Sequence, residues 1–299
     1  MYRFKLPNLG SLWMLVAALG FAIMGALVKA GATKFSPAEL VFYRSLFGLL
    51  AIYAYIFVNK LPLKTPVLTK QMSRALVGFV SLVLFFYAIS HLHLATAVTL
   101  NYTSPLFLAL FMPFLLHEKP KDILYIAVAI GFIGVVLLLK PTLASSDALA
   151  GALGLASGAG AAIAYINVKQ LANLNEPDWR TVYYFTLVSS VASGAWMLLS
   201  HWFGQPGFTA LNWQDLFVLV GLGVSATIAQ LAMTRAYRTG HTLTVASLAY
   251  LTVVLASFFG VIFWQEQLSS AEWLAIGLII LSGVISVNAT NSPDNISSN

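Results

Sequence analysis

Residues 94–120 read LATAVTLNYTSPLFLALFMPFLLHEKP, and residues 243–268 read LTVASLAYLTVVLASFFGVIFWQEQL. Each contains an apolar run long enough to cross a bilayer, for which about 20 residues suffice, and each closes on a glutamate. Sliding the chain along itself by 148 positions lays the second on the first: Thr96 meets Thr244, Leu100 meets Leu248, Tyr102 meets Tyr250, Phe111 meets Phe259 and Glu118 meets Glu266, with Ala88 on Ala236 upstream. An offset of 140 aligns the front parts of the halves, Lys29 with Lys169, Pro37 with Pro177 and Tyr43 with Tyr183. Apolar matches arise easily by chance. The polar pairs Lys29/Lys169, Thr96/Thr244, Tyr102/Tyr250 and Glu118/Glu266 therefore carry the repeat.

Composition says what solvent these runs meet. Of 299 residues, 59% are hydrophobic, 9% are charged and none is cysteine. An ordinary soluble domain is about 45–50% apolar and about 25% charged, so this chain lacks the polar surface to stay dissolved. Its solvent is largely lipid. Ten apolar runs stand out, at about 10–30, 38–58, 72–90, 94–116, 123–139, 149–171, 180–200, 216–237, 243–264 and 273–288. The first is too long for a signal-peptide core and is read as a retained helix. What remains between the runs leaves no room for a soluble catalytic domain, and the missing cysteines exclude disulfides, thiol catalysis and thiolate metal sites.

The fold class expected is thus an all-α integral membrane protein of ten transmembrane helices, arranged as two inverted five-helix repeats. Residues 1–143 hold the first repeat, 144–290 the second, and 291–299 a polar tail. Five crossings is an odd number, so the second copy must enter the bilayer upside down. Inverted repeats of this kind are the architecture of alternating access.

Charge fixes the orientation. With the N-terminus inside, Arg3, Lys5, Lys60, Lys64, Lys70, Arg74, Lys119, Lys121, Lys169, Arg180, Arg235 and Arg238 fall on the cytoplasmic side, against Lys29, Lys34 and Lys140 opposite. Both termini are expected in the cytoplasm. The net charge of +6 forms no continuous basic stripe, so nucleic acid is not an expected partner.

Ionisable groups at membrane depth are costly and are candidates by default. Arg44, in AELVFYRSLFGLL, is the clearest, with Glu39 five residues earlier. Two readings stand for it: a snorkelling side chain that reaches the headgroups or pairs with Glu39, or a direct role in solute binding or gating. Lys29 and Lys169 are either interface anchors or a pair of cations attracting an anionic solute from opposite faces. Every acid lies at a span end or in a loop, so a buried carboxylate relay is not expected, with Glu39 the exception to watch. Asn101 to Pro105, in TLNYTSPLF, form the most polar patch inside any run, and Pro105 deprives the backbone of a donor there. Tyr250, in SLAYLT, repeats the patch weakly. Tyr165, Asn167, Thr227 and Gln230 are further uncharged polar residues at depth, serving either as interhelical bonds or as contacts to a solute. Gly154 and Gly158 form a G-x-x-x-G pair that permits close helix approach. His91 and His93 point different ways on a helix, and no metal or cofactor is expected. A nucleotide-binding G-x-x-x-x-G-K-[ST] loop is absent.

The pieces FSPAELVFYRSLFGLL, LATAVTLNYTSPLFLALFMPFLLHEKP and LTVASLAYLTVVLASFFGVIFWQEQLSSAEWLAIGLIILSGV, in this order and spacing, resemble the EamA-type transporters of the drug/metabolite transporter superfamily over nearly the whole chain. The resemblance implies a carrier of the bacterial inner membrane, not an enzyme, with a central cavity lined by the first, third, fourth, sixth, eighth and ninth helices. Carried onto this sequence, it implicates Tyr87, Asn101, Tyr102, Tyr165, Gln230 and Tyr250 in solute binding. The chain departs from an even repeat at Tyr184, where a counterpart of Arg44 would stand. The function expected is export of a small polar or zwitterionic metabolite such as an amino acid, by a monomer or homodimer in the lipid bilayer. The alternative is an uptake carrier for a vitamin, nucleoside or organic anion that uses Lys29, Arg44 and Lys169.

Overall fold

The computed structural model describes residues 9–92, 94–139, 147–202, 208–265 and 267–291. Arg3, Lys5, His93, Lys140, Glu266, the expected repeat boundary at 143–144 and the tail from 292 lie outside them. Twelve helices follow one another among the described residues: α1 (Leu9–Gly31), α2 (Pro37–Val58), α3 (Leu68–His91), α4 (Leu94–Asn101), α5 (Ser104–Leu115), α6 (Asp122–Leu139), α7 (Ala148–Asn173), α8 (Asp178–Trp202), α9 (Trp213–Thr239), α10 (Thr242–Ala249), α11 (Leu251–Trp264) and α12 (Ser270–Asn291). They make ten spans long and apolar enough to cross a membrane, α4 with α5 forming the fourth and α10 with α11 the ninth. Bulky side chains are turned outward along them, Trp202, Trp213 and Phe217 among the most exposed, as a lipid-facing surface requires and a water-facing one avoids.

The two broken spans explain each other. In the fourth, Pro105 sits in the first turn of α5 and has no N–H to continue the ladder from α4. Thr103 closes the gap by donating its hydroxyl to the Leu100 carbonyl at 2.5 Å. In the ninth span no proline is present, yet the chain turns at Tyr250, whose N–H reaches the Ser247 carbonyl at 3.3 Å. Half-helices α4 and α10 each hold eight residues, and each begins and ends 148 positions from the other. The break therefore recurs at matching places even though its chemical cause does not.

Packing follows the same exchange. The main helix contacts are α1 with α9, α3 with α7, α2 with α8, α6 with α12, α2 with α9 and α3 with α8. Swapping the first five spans for the last five turns the first pair into the second and the fifth into the sixth, and returns α2–α8 and α6–α12 to themselves. Lipid tails are as apolar as leucine, so close contact rather than hydrophobic burial holds such helices together. Small residues supply that contact: a Cβ on Gly20 would lie 2.9 Å from the Cβ of Ala229, and one on Gly134 would lie 2.7 Å from Ile279 Cγ1. Gly154 and Gly158 bring α7 onto the break of the fourth span, where a Cβ at 158 would meet the Leu100 carbonyl oxygen at 2.7 Å. Hydroxyls add interhelical bonds, such as Ser282 donating to the Ala127 carbonyl at 2.7 Å.

Candidate functional site

Helix α8 packs against both α2 and α3, which scarcely touch one another. Phe185 on α8 consequently meets two cations, one from each side of the sequence gap. The Arg74 guanidinium carbon lies 4.2 Å from the ring centre and that of Arg44 lies 5.9 Å from it. Arg74 is only 2% exposed, and its Nε and Nη1 are buried without a hydrogen-bond partner. Gly78, one turn along α3, makes the room: a Cβ there would stand 2.6 Å from Arg74 Nη1. Arg44 donates from Nε to the Met24 thioether at 3.3 Å, a weak acceptor for a guanidinium. Among the described residues no carboxylate pairs with either arginine.

Around Arg44 the helices leave a cavity of about 10 Å³, lined by Ser45, Phe185, Thr186, Ala226, Thr227 and Gln230. That is room for roughly one water. Gln230 Nε2 and Ser45 Oγ are buried there without partners, whereas Thr227 donates to the Gly223 carbonyl of its own helix at 2.7 Å. A larger groove of about 360 Å³ between α5 and α6 is open and lined by Leu106, Ala109, Leu110, Pro113, Phe114, Tyr125 and Val128. It presents no charged group, so the small polar cavity is the site.

Tyr165, on α7, interacts electrostatically with both arginines. Its ring stacks on Tyr237 with centres 5.1 Å apart, and Tyr237 in turn lies within electrostatic reach of Tyr250. Tyr102 and Tyr250, the two residues at the helix breaks, meet at 6.3 Å. Two tyrosine pairs, Tyr165–Tyr237 and Tyr102–Tyr250, thus lie in the interior, the second at the broken spans. Tyr250 is fully buried, its hydroxyl unpartnered and its ring against Gly131 of α6, whose missing side chain admits it.

Of the residues singled out from sequence, Arg44, Thr227 and Gln230 come together at this cavity; Tyr165 lies within electrostatic reach of Arg44, and Tyr102 within reach of Tyr165. Asn101 donates to Ser157 Oγ at 3.1 Å and ties α4 to α7. Tyr87 stacks on His91 at 4.1 Å, thirteen residues and about 20 Å of helix beyond Arg74. Glu39 does not pair with Arg44. Its carboxylate accepts from the Ser36 and Thr209 N–H groups at 2.9 and 2.6 Å, capping α2 and holding the segment before α9. Lys29 lies 4.5 Å over the Trp264 ring, and Lys169 donates to the Gly240 carbonyl at 3.4 Å, so these two brace opposite ends of the bundle. Hydropathy misses Arg74 because the apolar run begins near Met72, which makes Arg74 look like a loop-end cation. The helix starts at Leu68, and this places Arg74 nearly two turns inside. The polar first turn Leu68–Gln71, rich in good helix formers, was the available signal. Among the described residues no three His, Asp or Glu side chains converge on a metal site.

Both ends of the bundle are fastened across the halves. On the face carrying the 59–67 loop, the buried Glu176 carboxylate accepts from Thr65 Oγ1 and Gln71 Nε2, each at 2.9 Å, and from Arg180 Nη1 at 3.0 Å. Arg180 also donates to the Pro62 carbonyl at 2.9 Å, and the Tyr184 hydroxyl to the Leu63 carbonyl at 3.0 Å. Burial alone would raise the Glu176 pKa, but the bonds from Gln71, Thr65 and Arg180 outweigh it and hold the carboxyl below the usual range. On the opposite face, Glu39 with Thr209 and Lys34 with Asp215 make the corresponding links.

A ten-span helical bundle with a small cavity between its halves, lined by an arginine and polar side chains, has the build of a membrane carrier. The model of the EamA-like transporter family matches residues 8–140 and again 149–288, and the chain belongs to that family. It is 30% identical over 281 residues to the pseudopaline exporter CntI of Pseudomonas aeruginosa, covering 94% of this chain and 96% of that one. It is 24% identical over 282 residues to a riboflavin transporter of Vibrio cholerae, covering 92% of each. A crystal structure at 20% identity superposes with a TM-score of 0.81, covering 96% of this chain and all of the other, which establishes the shared fold. The protein is a multi-pass membrane transporter of small metabolites and not an enzyme.

Proposed function

We propose that this protein exports a small polar or zwitterionic metabolite, such as an amino acid or a related compound, by alternating access across the bacterial inner membrane. The two halves, 1–143 and 144–290, act as inverted repeats that rock about the cavity between them. The observation that carries the reading is Arg44, half-buried at membrane depth beside the unpartnered Gln230 and within electrostatic reach of Tyr165. A cation held there with spare donors around it is expensive unless a solute makes use of it. The relative that exports pseudopaline supports the direction. The basic side chains of the 59–67, 116–121 and 174–180 segments support a cytoplasmic assignment for that face, with both termini on it. Monomer and homodimer both suit this arrangement, since each chain carries its own cavity.

Exchange or facilitated diffusion is the expected mode. Glu39 and Glu176, the buried carboxylates among the described residues, have structural partners at opposite ends of the bundle rather than places beside the cavity. Counterflow into proteoliposomes containing only this protein, screened against pooled metabolites, tests the function. A zwitterionic metabolite should exchange, and Gln230→Leu should slow it about tenfold while the protein remains folded. No exchange of any pooled metabolite, or a Gln230→Leu rate equal to wild type, would overturn the reading.

A further inference from the structure

Burying one guanidinium beside a solute cavity is accounted for by a solute with one carboxylate. Here there are two. The guanidinium carbons of Arg74 and Arg44 lie 4.2 and 5.9 Å from the centre of one phenyl ring, Phe185, and among the described residues neither arginine pairs with an acid. Arg74 differs from an ordinary snorkelling residue in that its guanidinium is turned inward, over Gly78 and Phe185, with two nitrogens left bare. An uncompensated buried cation such as Arg74 is costly even after relaxation, and the half-buried Arg44 nearby adds repulsion to that cost. Among the described residues there is no internal remedy, because the carboxylate of Glu176 is already engaged by Arg180, Gln71 and Thr65. A solute can supply the missing negative charge.

We infer that Arg44 and Arg74 form one recognition site for two carboxylates, so that the transported solute is a small organic dicarboxylate, with or without an amino group. This rests on the proposed carrier function and narrows its substrate class. A planar guanidinium offers paired N–H donors to a carboxylate, and the two arginines present such donors from separate helices, α2 and α3. Gln230, from α9, and the Tyr165 hydroxyl, from α7, supply neutral polar contacts for the rest of the molecule. Monocarboxylates satisfy one arginine and leave the other bare, and that asymmetry is the source of selectivity.

The purified full chain in detergent provides the test, through its melting temperature with millimolar glutamate, aspartate or succinate, against alanine, leucine and inorganic phosphate. Dicarboxylates should raise the melting temperature, and alanine and leucine should not. Arg74→Gln should melt higher than wild type in the absence of solute, because an unpaired charge has gone, and should lose the dicarboxylate shift with an affinity drop of about tenfold or more. Arg74→Lys should recover part of that shift. The inference is overturned if no dicarboxylate stabilises the protein, if alanine or phosphate does so equally, or if Arg74→Gln melts lower with the glutamate shift intact. Counterflow separates this from the broader reading: equal exchange of alanine and glutamate refutes the two-carboxylate site and leaves the carrier function standing.

Discussion

The Gln71 amide donates to the buried Glu176 carboxylate at 2.9 Å, and this bond joins the first half of the chain to the second one helical turn below Arg74 on α3. In the proposed alternating access, opening the cavity toward the 59–67 loop would break it, together with the Thr65 and Arg180 bonds to the same carboxylate. The fastening and the site therefore share a helix.

Removing the acid should loosen this face. Glu176→Ala leaves Arg180 buried with the Pro62 carbonyl as its remaining bond, and losing one partner of a buried pair costs about 3 kcal/mol. A fall of several degrees in melting temperature is expected, with Glu176→Gln intermediate. A cysteine placed at Thr227 in this cysteine-free chain should label faster in the Glu176→Gln background. Unchanged labelling would show that the bond does not restrain opening.

Acid should act through the same carboxyl. Its pKa is depressed in the folded protein, so its stabilising effect is complete above the unfolded carboxylate value of about 4.3 and disappears as the pH falls through the folded value. The melting temperature should be flat near neutrality and decline below about pH 4.3, more steeply in wild type than in Glu176→Gln. Parallel curves for the two proteins would assign the acid sensitivity elsewhere.

Gly158→Ala should destabilise by about 1–3 kcal/mol through overpacking, since its new Cβ would press on the Leu100 carbonyl and the Thr103 hydroxyl at the helix break. Gly277→Ala is the control. Nothing lies within 4 Å of its Cβ position, and in a helix interior the change should be neutral or stabilising by up to about 1 kcal/mol. Thermal melts of the two variants decide whether the close approach of α7 is real.

Tyr165→Phe and Asn101→Ala should separate binding from packing. Tyr165→Phe removes a hydroxyl that interacts with both arginines and should cut the exchange rate with little effect on melting. Asn101→Ala removes a bond to Ser157 and should lower stability by about 1 kcal/mol, whatever it does to transport. The opposite pattern would exchange the roles of these two residues.

Composition and the 148-residue offset were enough to determine ten spans in two matching halves, because apolar length and polar punctuation are properties read along the chain. They also marked the polar patch at Asn101–Pro105, where the fourth span breaks; that the ninth span breaks at Tyr250 came from the tertiary structure. The partners of individual charges could not be read that way. Glu39 is five residues from Arg44, about 140° around the helix, and the tertiary structure turns it to Ser36 and Thr209 instead. Arg74 looked like a loop cation from hydropathy, because polar first turns hide where a helix begins. Its meeting with Arg44 exists because α8 packs against both α2 and α3 and presents Phe185 to each, and that is a consequence of how ten helices share space.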